Sequence, residues 1–239
     1  MRQAGRVTAL TVQRVMEAVR PGISTKDLDD LAEQTIRDEG CTPSFKGYRG
    51  FPASICTSLN EEVVHGIPSA RRILREGDLI SLDVGAVWEG YHGDSAVTVF
   101  VGSPPSGVAE KLVRVTEEAL EAGIAALQPG RRMVEVGRAV QQVAEGAGFS
   151  VVREYVGHGV GRALHEDPQI PNYDDGRQGP LIKPGLVVAI EPMVNAGDWR
   201  TRVLADRWTV ITADRSLSAH FEHTIAITPE GPEVLTTRS

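Results

Sequence analysis

The chain has only two cysteines, Cys41 and Cys56, in 239 residues. A disulfide framework needs more than this, and no signal-peptide pattern precedes the first predicted helix. Free thiols in a reducing cytoplasm are the expectation. Long apolar runs are missing too: none approaches the roughly 18 residues that span a bilayer. Positive charge is in short supply, with a net charge of −7. That balance excludes the basic face of a dedicated nucleic-acid binder. Arg2, Arg6, Arg14 and Arg20 read as one solvated helix face. No Walker loop, HExxH helix or nucleophile elbow occurs. Gly157-His158-Gly159-Val160-Gly161 imitates a dinucleotide fingerprint, but charged residues and Pro168 follow it where a long helix is required.

What is present is a globular composition, 41% hydrophobic, arranged in a repeating order. Residues 4–20 carry Val12, Val15, Met16 and Val19 at helical spacing, and Pro21-Gly22 ends the helix. Ser24 is a candidate N-cap for a second helix, which closes at Gly40. Extended segments at 53–59 and 63–67 lead to a hairpin turning near Trp88-Glu89-Gly90. Residues 107–127 and 133–146 then read as two more helices, closed by Pro129-Gly130 and Gly148. Strands follow around 150–156, 185–194 and 218–228. Pro21 and Pro129, Gly40 and Gly148, Gly77 and Gly185, and Asp83 and Glu191 all share one offset, 108 residues. Pairing Asp94 with Glu222 needs about 20 inserted residues, which the stretch 195–214 can hold. The pattern predicts an α+β chain of two helix–helix–strand halves about a pseudo-twofold axis, roughly 1–104 and 105–239.

The acidic residues lie where acids are costly. Asp83 in LISLDVGAV and Asp94 in HGDSAVTVF sit within apolar strands of one hairpin, on the same face. Two such charges repel unless one takes up a proton or a cation lies between them. Glu191 in LVVAIEPMV and Glu222 in SAHFEHTIAIT repeat the situation, and His158 sits among glycines in YVGHGVG. Taken singly, each is most simply a hydrogen-bonded buried acid. Jointly they have no lysine or arginine in these strands to neutralise them. Four carboxylates and one imidazole suit two divalent ions such as Mn, Fe(II), Co or Zn. His65 in VVHGIP and His165 in GRALHEDP are candidate donors to a substrate carbonyl or amine. His92, His220 and His223 read as structural.

These motifs resemble type I methionine aminopeptidases of the pita-bread fold. The resemblance runs through FPASICTSLNEEVVHGIP, DLISLDVGAVWEGYHGDSAVTVFVG, YVGHGVGRALHEDPQIPNY, LVVAIEPMVNAG and DRSLSAHFEHTIAIT, from about Arg2 to Thr228. It implies one catalytic pita-bread domain over 1–239, with a shared curved antiparallel sheet. It also implies removal of N-terminal methionine from nascent proteins and peptides by a bridging metal-bound hydroxide. Asp83 would chelate one metal, Asp94 and Glu222 would bridge both, and His158 and Glu191 would complete the other. Glu191 would also shuttle the proton. His65 would bind near the scissile amide nitrogen, and His165 would polarise the scissile carbonyl. The substrate's free terminal amine would bind a metal, a handle that internal peptide bonds lack. Tyr48, Phe51, Cys56 and Trp208 would form the methionine pocket. Phe45 and Leu164 depart from the family pattern, which expects a smaller residue and a phenylalanine there.

The family resemblance implies a cytoplasmic monomer with peptide substrates, without membrane or nucleic-acid binding, and leaves room for transient ribosome contact through the Arg-bearing first helix. The chain opens almost at that helix, so neither an N-terminal zinc-binding extension nor the helical insertion of type II enzymes is expected. Proline-directed relatives (aminopeptidase P and prolidase) share the ligands but usually carry a large N-terminal domain. A noncatalytic binding module of the same fold would lose ligands, and all five are intact here.

Overall fold

The computed structural model describes residues 1–104 and 107–238. Apolar residues at helical spacing build two helix pairs. Helix α1 (Arg2–Ala18) buries Ala4, Val7, Thr8, Thr11, Val12 and Val15 on one face. It stops before the expected residue 20: Val19 already turns extended, ahead of Pro21-Gly22. Helix α2 (Thr25–Asp38) opens with a capping box: the Ser24 hydroxyl accepts from Asp27 N–H, and the Asp27 carboxylate accepts from Ser24 N–H. Helices α3 (Val108–Ala126) and α4 (Val134–Gly146) pack together in the second half. The expected division after residue 104 falls at residues 105–106, outside the described residues.

The strands of the first half are β1 (Thr42–Pro43), β2 (Ile55–Leu59), β3 (Glu62–Val64), β4 (Leu79–Trp88) and β5 (Tyr91–Phe100). Those of the second are β6 (Ser150–Val151), β7 (Gly157–Gly159), β8 (Glu166–Ile170), β9 (Val187–Ile190), β10 (Met193–Asn195), β11 (Thr201–Val203), β12 (Val210–Thr212), β13 (Ser218–His220), β14 (His223–Thr228) and β15 (Gly231–Val234). All pairings between these strands are antiparallel. The ladders run β1-β4-β2 with β5 on β4, β15-β14-β9-β7-β8, β13-β10-β6 and β11-β12-β3.

The repeat is written in backbone bonds. Gly22 N–H donates to Leu74 O and Leu74 N–H to Ile23 O, each at 2.9 Å. The residues 108 positions later do the same: Gly130 N–H to Ile182 O and Ile182 N–H to Arg131 O, again at 2.9 Å. The bridges Ser24–Ile73 and Arg132–Leu181 carry the same offset. The halves are joined where Glu222 N–H donates to Ala96 O at 3.0 Å and Ala96 N–H returns to Glu222 O at 3.3 Å.

Three expected strands are shorter or broken. The segment 185–194 divides into β9 and β10 at Glu191-Pro192, where proline has no N–H to offer a ladder. The segment 218–228 divides at Phe221-Glu222, as the chain leaves the β10 ladder for the β9 ladder. Around 150–156 only Ser150–Val151 is strand, and His158 instead lies on β7. The inserted stretch folds as the β11–β12 hairpin and pairs with β3 of the first half.

Helix α1 lies so close to β5 that Gly93 is the only residue type that fits. A Cβ there would sit 2.8 Å from Ala4 C and Gly5 N, both backbone atoms that cannot rotate aside. Gly93→Ala is expected to cost about 1–3 kcal/mol through this overlap. At about 2–4 °C per kcal/mol for a chain of this size, calorimetry of the metal-loaded variant should show a clearly lowered Tm. An unchanged Tm would mean that α1 is not seated on β5 in this way.

Candidate metal centre

In the β4–β5 register, Asp83 stands opposite Ala96 and Asp94 opposite Gly85, so the two acids are diagonal neighbours on one face. Glu191 enters from the break between β9 and β10, Glu222 from the break between β13 and β14, and His158 from β7. All five line one cavity of about 280 Å³. Candidate ligand atoms of Asp94, His158 and Glu222 lie within 4.8 Å of one another. His158 Nε2 is 3.3 Å from Glu191 Oε1 and 4.0 Å from Asp94 Oδ2.

The backbone around the acids is fixed tightly. The Thr224 hydroxyl accepts from Asp94 N–H at 2.9 Å and donates to Asp94 O at 2.8 Å. The next residue, Ser95, donates through Oγ to Glu222 O at 2.7 Å. These bonds cross from one half to the other, so the two acids cannot drift apart independently. The imidazole of His158 is set by chemistry as well. Its Nδ1 lies 2.9 Å from Gly159 O, and a carbonyl can only accept, so Nδ1 carries the proton. Nε2 is left with a lone pair facing Asp94 and Glu191. Burial lowers the His158 pKa and keeps the ring neutral.

The electrostatics ask for cations. Burial raises Asp83 to about 7, and it raises Asp94, Glu191 and Glu222 well above the usual carboxylate range. Neighbouring acids push Asp94 and Glu222 further, while the Cys56 thiol partly relieves Asp83. Oδ1 of Asp83 and Oδ1 of Asp94 are buried and have no hydrogen-bond partner. Among the described residues no lysine or arginine makes an ion pair with any of the four acids. Orphaned carboxylate oxygens, a neutral imidazole lone pair and no protein countercharge together fit divalent cations.

The remaining wall is apolar. Phe45, Phe51, Cys56 and Leu164 are buried, and Tyr48 and Trp208 pack against them. Phe51 meets Trp208 edge-on with centroids 5.1 Å apart. Tyr48, Phe51, Cys56 and Trp208 therefore share the cavity with the acids, as do Phe45 and Leu164. His65 and His165 line it too, each lowered to about 4 by burial. His65 has a φ of 61°, a strained backbone for a non-glycine residue. The Tyr48 hydroxyl lies 2.9 Å from His165 Nδ1.

Three cavity neighbours escaped the sequence reading. Tyr155 and Arg49 line the cavity, and nothing in their spacing announces it. His220 differs from the structural role that the sequence suggests. Its Nε2 is buried without a partner, 4.0 Å from Glu191 Oε2. A signal existed: His220 precedes Glu222 by two, the spacing that puts alternate residues on one strand face. His92 and His223 do find structural partners, Ser44 Oγ and Thr236 Oγ1.

Without metal, the contribution of these four acids to stability should fall as pH rises. Carboxyls raised in the folded state bind protons that the unfolded chain has released, so folding is favoured at low pH and loses support from about pH 4 through 7 and above. Buried histidines lowered in the folded state act in the opposite direction on the metal-free protein, so the readout is the gain from metal: added Mn is expected to raise Tm far more at pH 8 than at pH 5. Equal gains from Mn at both pH values would contradict a proton-for-metal exchange at these acids.

Comparison with known proteins agrees with this geometry. The model of the metallopeptidase family M24 matches residues 1–229. Methionine aminopeptidase 1 of Bacillus subtilis is 56% identical over 236 residues, covering 99% of this chain and 94% of the relative. The crystal structure of a methionine aminopeptidase from Thermotoga maritima superposes with a TM-score of 0.97 at 47% identity, covering 100% of this chain and 95% of that one. A prolidase from Pyrococcus furiosus shares the fold alone, with a TM-score of 0.79 at 23% identity over 63% of its own length. A family match over residues 1–229 and relatives similar across nearly every residue establish that the chain belongs to the metallopeptidase family M24 and, within it, to the type I methionine aminopeptidases.

Proposed function

We propose that this chain removes the N-terminal methionine from nascent proteins and peptides, as a metal-dependent aminopeptidase acting as one catalytic unit over residues 1–239. The observation that carries the reading is a single cavity in which five nitrogen and oxygen ligand groups face an aromatic and sulfur-bearing wall. Two divalent ions, drawn from Mn, Fe(II), Co and Zn, match the donor set, since five side chains exceed what one small site uses. Asp83, Asp94, His158, Glu191 and Glu222 would hold them. Bound there, the cations supply Lewis-acid activation of water and of the scissile carbonyl.

The protein's own groups do the rest. Glu191, with a pKa raised by burial, accepts the proton of the attacking water and returns it to the leaving amine. His165, neutral and engaged through Nδ1 by Tyr48, offers its other ring nitrogen to the scissile carbonyl oxygen. His65 faces the amide nitrogen, held in place by edge-on contacts with Tyr155 and Trp208. Tyr48, Phe51, Cys56 and Trp208 receive the methionine side chain, where sulfur–aromatic contact rewards an unbranched thioether. The buried Cys56 thiol, pushed well up by burial, stays protonated and belongs to this wall. Two buried free cysteines suit a reducing cytoplasm, and the acting unit is one chain, since one chain carries all five ligands.

Asp94→Ala and Glu222→Ala are each expected to abolish metal loading and hydrolysis, read by metal analysis and peptide cleavage. Near-normal turnover in either would overturn the two-ion arrangement. His165→Ala should keep its fold and metal content yet lose about 10²–10³ in kcat, the usual cost of one oxyanion donor. Wild-type kinetics would remove His165 from that role. A Met-Ala peptide should be cleaved and an Xaa-Pro peptide left intact; the reverse preference would point to the proline-directed relatives.

A further inference from the structure

The aminopeptidase reading gives roles to His65, His158 and His165 and leaves one imidazole beside the acids without a task. His220 is only 2% exposed, and its buried Nε2 has no hydrogen-bond partner. A polar nitrogen left alone in the interior is costly and asks for an explanation. The backbone accounts for where the ring stands. The bonds that join the halves run in register, Asp94 with Thr224, Ala96 with Glu222 and Thr98 with His220. The Thr98 hydroxyl accepts from His220 N–H and donates to His220 O, each at 2.8 Å. His220 is thus the rung next to Glu222 on one junction, two residues away and on the same face. Its Nε2 stands 4.0 Å from Glu191 Oε2. Glu191 is held elsewhere as well. Asn172 Nδ2 donates to Glu191 O at 3.0 Å and fixes the main chain where Pro192 breaks the strand. Glu191 Oε1 lies 3.3 Å from His158 Nε2. The two oxygens of one carboxylate therefore face two different imidazoles.

We propose that His220 is a positioning residue for Glu191: its Nε2–H donates to Oε2 and leaves Oε1 as the oxygen offered, with His158, to a divalent ion. The inference rests on the aminopeptidase reading, which gives Glu191 its work as ligand and proton carrier. An ionised carboxylate can only accept, so the ring that meets it carries its proton on Nε2. The last torsion of a glutamate is broad. Turning it moves an oxygen by about 1 Å, which brings the 4.0 Å separation into hydrogen-bond range. A carboxylate pinned at Oε2 cannot swing to present both oxygens to one ion. Its orientation is then set by the protein, as is that of His158, whose Nδ1 is engaged by Gly159 O. Losing such an outer contact to a metal-ligating group costs about 10–100-fold in metal affinity or activity.

The experiment compares His220→Gln, His220→Asn and His220→Phe with the unaltered chain. A glutamine amide reaches about as far as Nε2 and can donate. An asparagine amide is too short, and phenylalanine keeps the flat ring without a donor. Mn affinity is read by calorimetric titration of the metal-free proteins, and their Tm reports folding. The kcat is read on a Met-Ala-Ser peptide at saturating Mn. His220→Phe and His220→Asn are expected to lose about 10–100-fold in Mn affinity or in kcat, and His220→Gln to stay within about threefold of the unaltered chain. If His220→Phe does not fold, the contrast between His220→Gln and His220→Asn decides. Unchanged Mn affinity and kcat in the variants without a reaching donor would overturn the proposal. So would a His220→Gln as impaired as His220→Asn, which would mark the ring as packing alone. An unaltered chain that leaves the peptide uncleaved would instead overturn the aminopeptidase reading, and the Mn affinities would still decide the contact.

Discussion

Mutual repulsion among four carboxylates in one low-dielectric cavity is the constraint on which the rest of the structure depends. Asp94 and Glu222 offer oxygens within 4.8 Å of each other. At an effective dielectric of about 20, two unit charges at that distance repel by roughly 3–4 kcal/mol, before the other two acids are considered. Left to themselves the groups respond by keeping protons, which is why burial and neighbouring charge raise them together. A cation between them adds an attraction to each acid that outweighs these repulsions. The fold therefore has to hold the acids close enough to need a cation and rigid enough to select one.

Rigidity comes from sharing the acids between halves. The bonds from Thr224 to Asp94 and from Ser95 to Glu222 cross the junction, beside the reciprocal pair of Ala96 and Glu222. Each half thereby anchors the other's ligand strand. Gly93 allows α1 to close over β5 next to Asp94, so the helical layer bears directly on the strand that carries the acid. The core and the site are stabilised by the same contacts, and a packing error near Gly93 reaches the candidate ligand Asp94 within one residue.

Much of this was legible because the sequence repeats its punctuation. Gly22 and Gly130, Gly40 and Gly148, and Gly77 and Gly185 all adopt positive φ, so the matched glycines mark matched turns. The capping box at Ser24 and the diagonal placement of Asp83 and Asp94 follow from local rules of the same kind. Strand breaks were less legible. Pro192 signals one break only when its ladder partner is known, and the break at Glu222 reflects a change of sheet that no local pattern encodes. The cavity wall was legible through the family resemblance, whereas Tyr155 and Arg49 reach it through tertiary packing. His220 is within reach of strand alternation, two residues before Glu222.

The two halves are alike in backbone and unlike in donors, and the register locates the difference. Ser58 pairs with Ser81 on β4, and His158 pairs with Ala189 on β9. Residues 81 and 189 are 108 apart, so His158 is the topological counterpart of Ser58. Ser58 spends its hydroxyl on Gly66 N–H at 3.1 Å and serves the backbone. In the same frame Cys56 stands opposite Asp83, and its thiol is held protonated by burial and by the acids themselves. One half thus presents carboxylate beside a neutral thiol, and the other presents carboxylate beside an imidazole lone pair. The two cations proposed for this site would meet unequal ligand fields even though the acids are nearly symmetric. Glu191, the proposed proton carrier, lies on the imidazole side, 3.3 Å from His158, so the proposed division of labour follows from a serine-to-histidine difference within an otherwise repeated ladder.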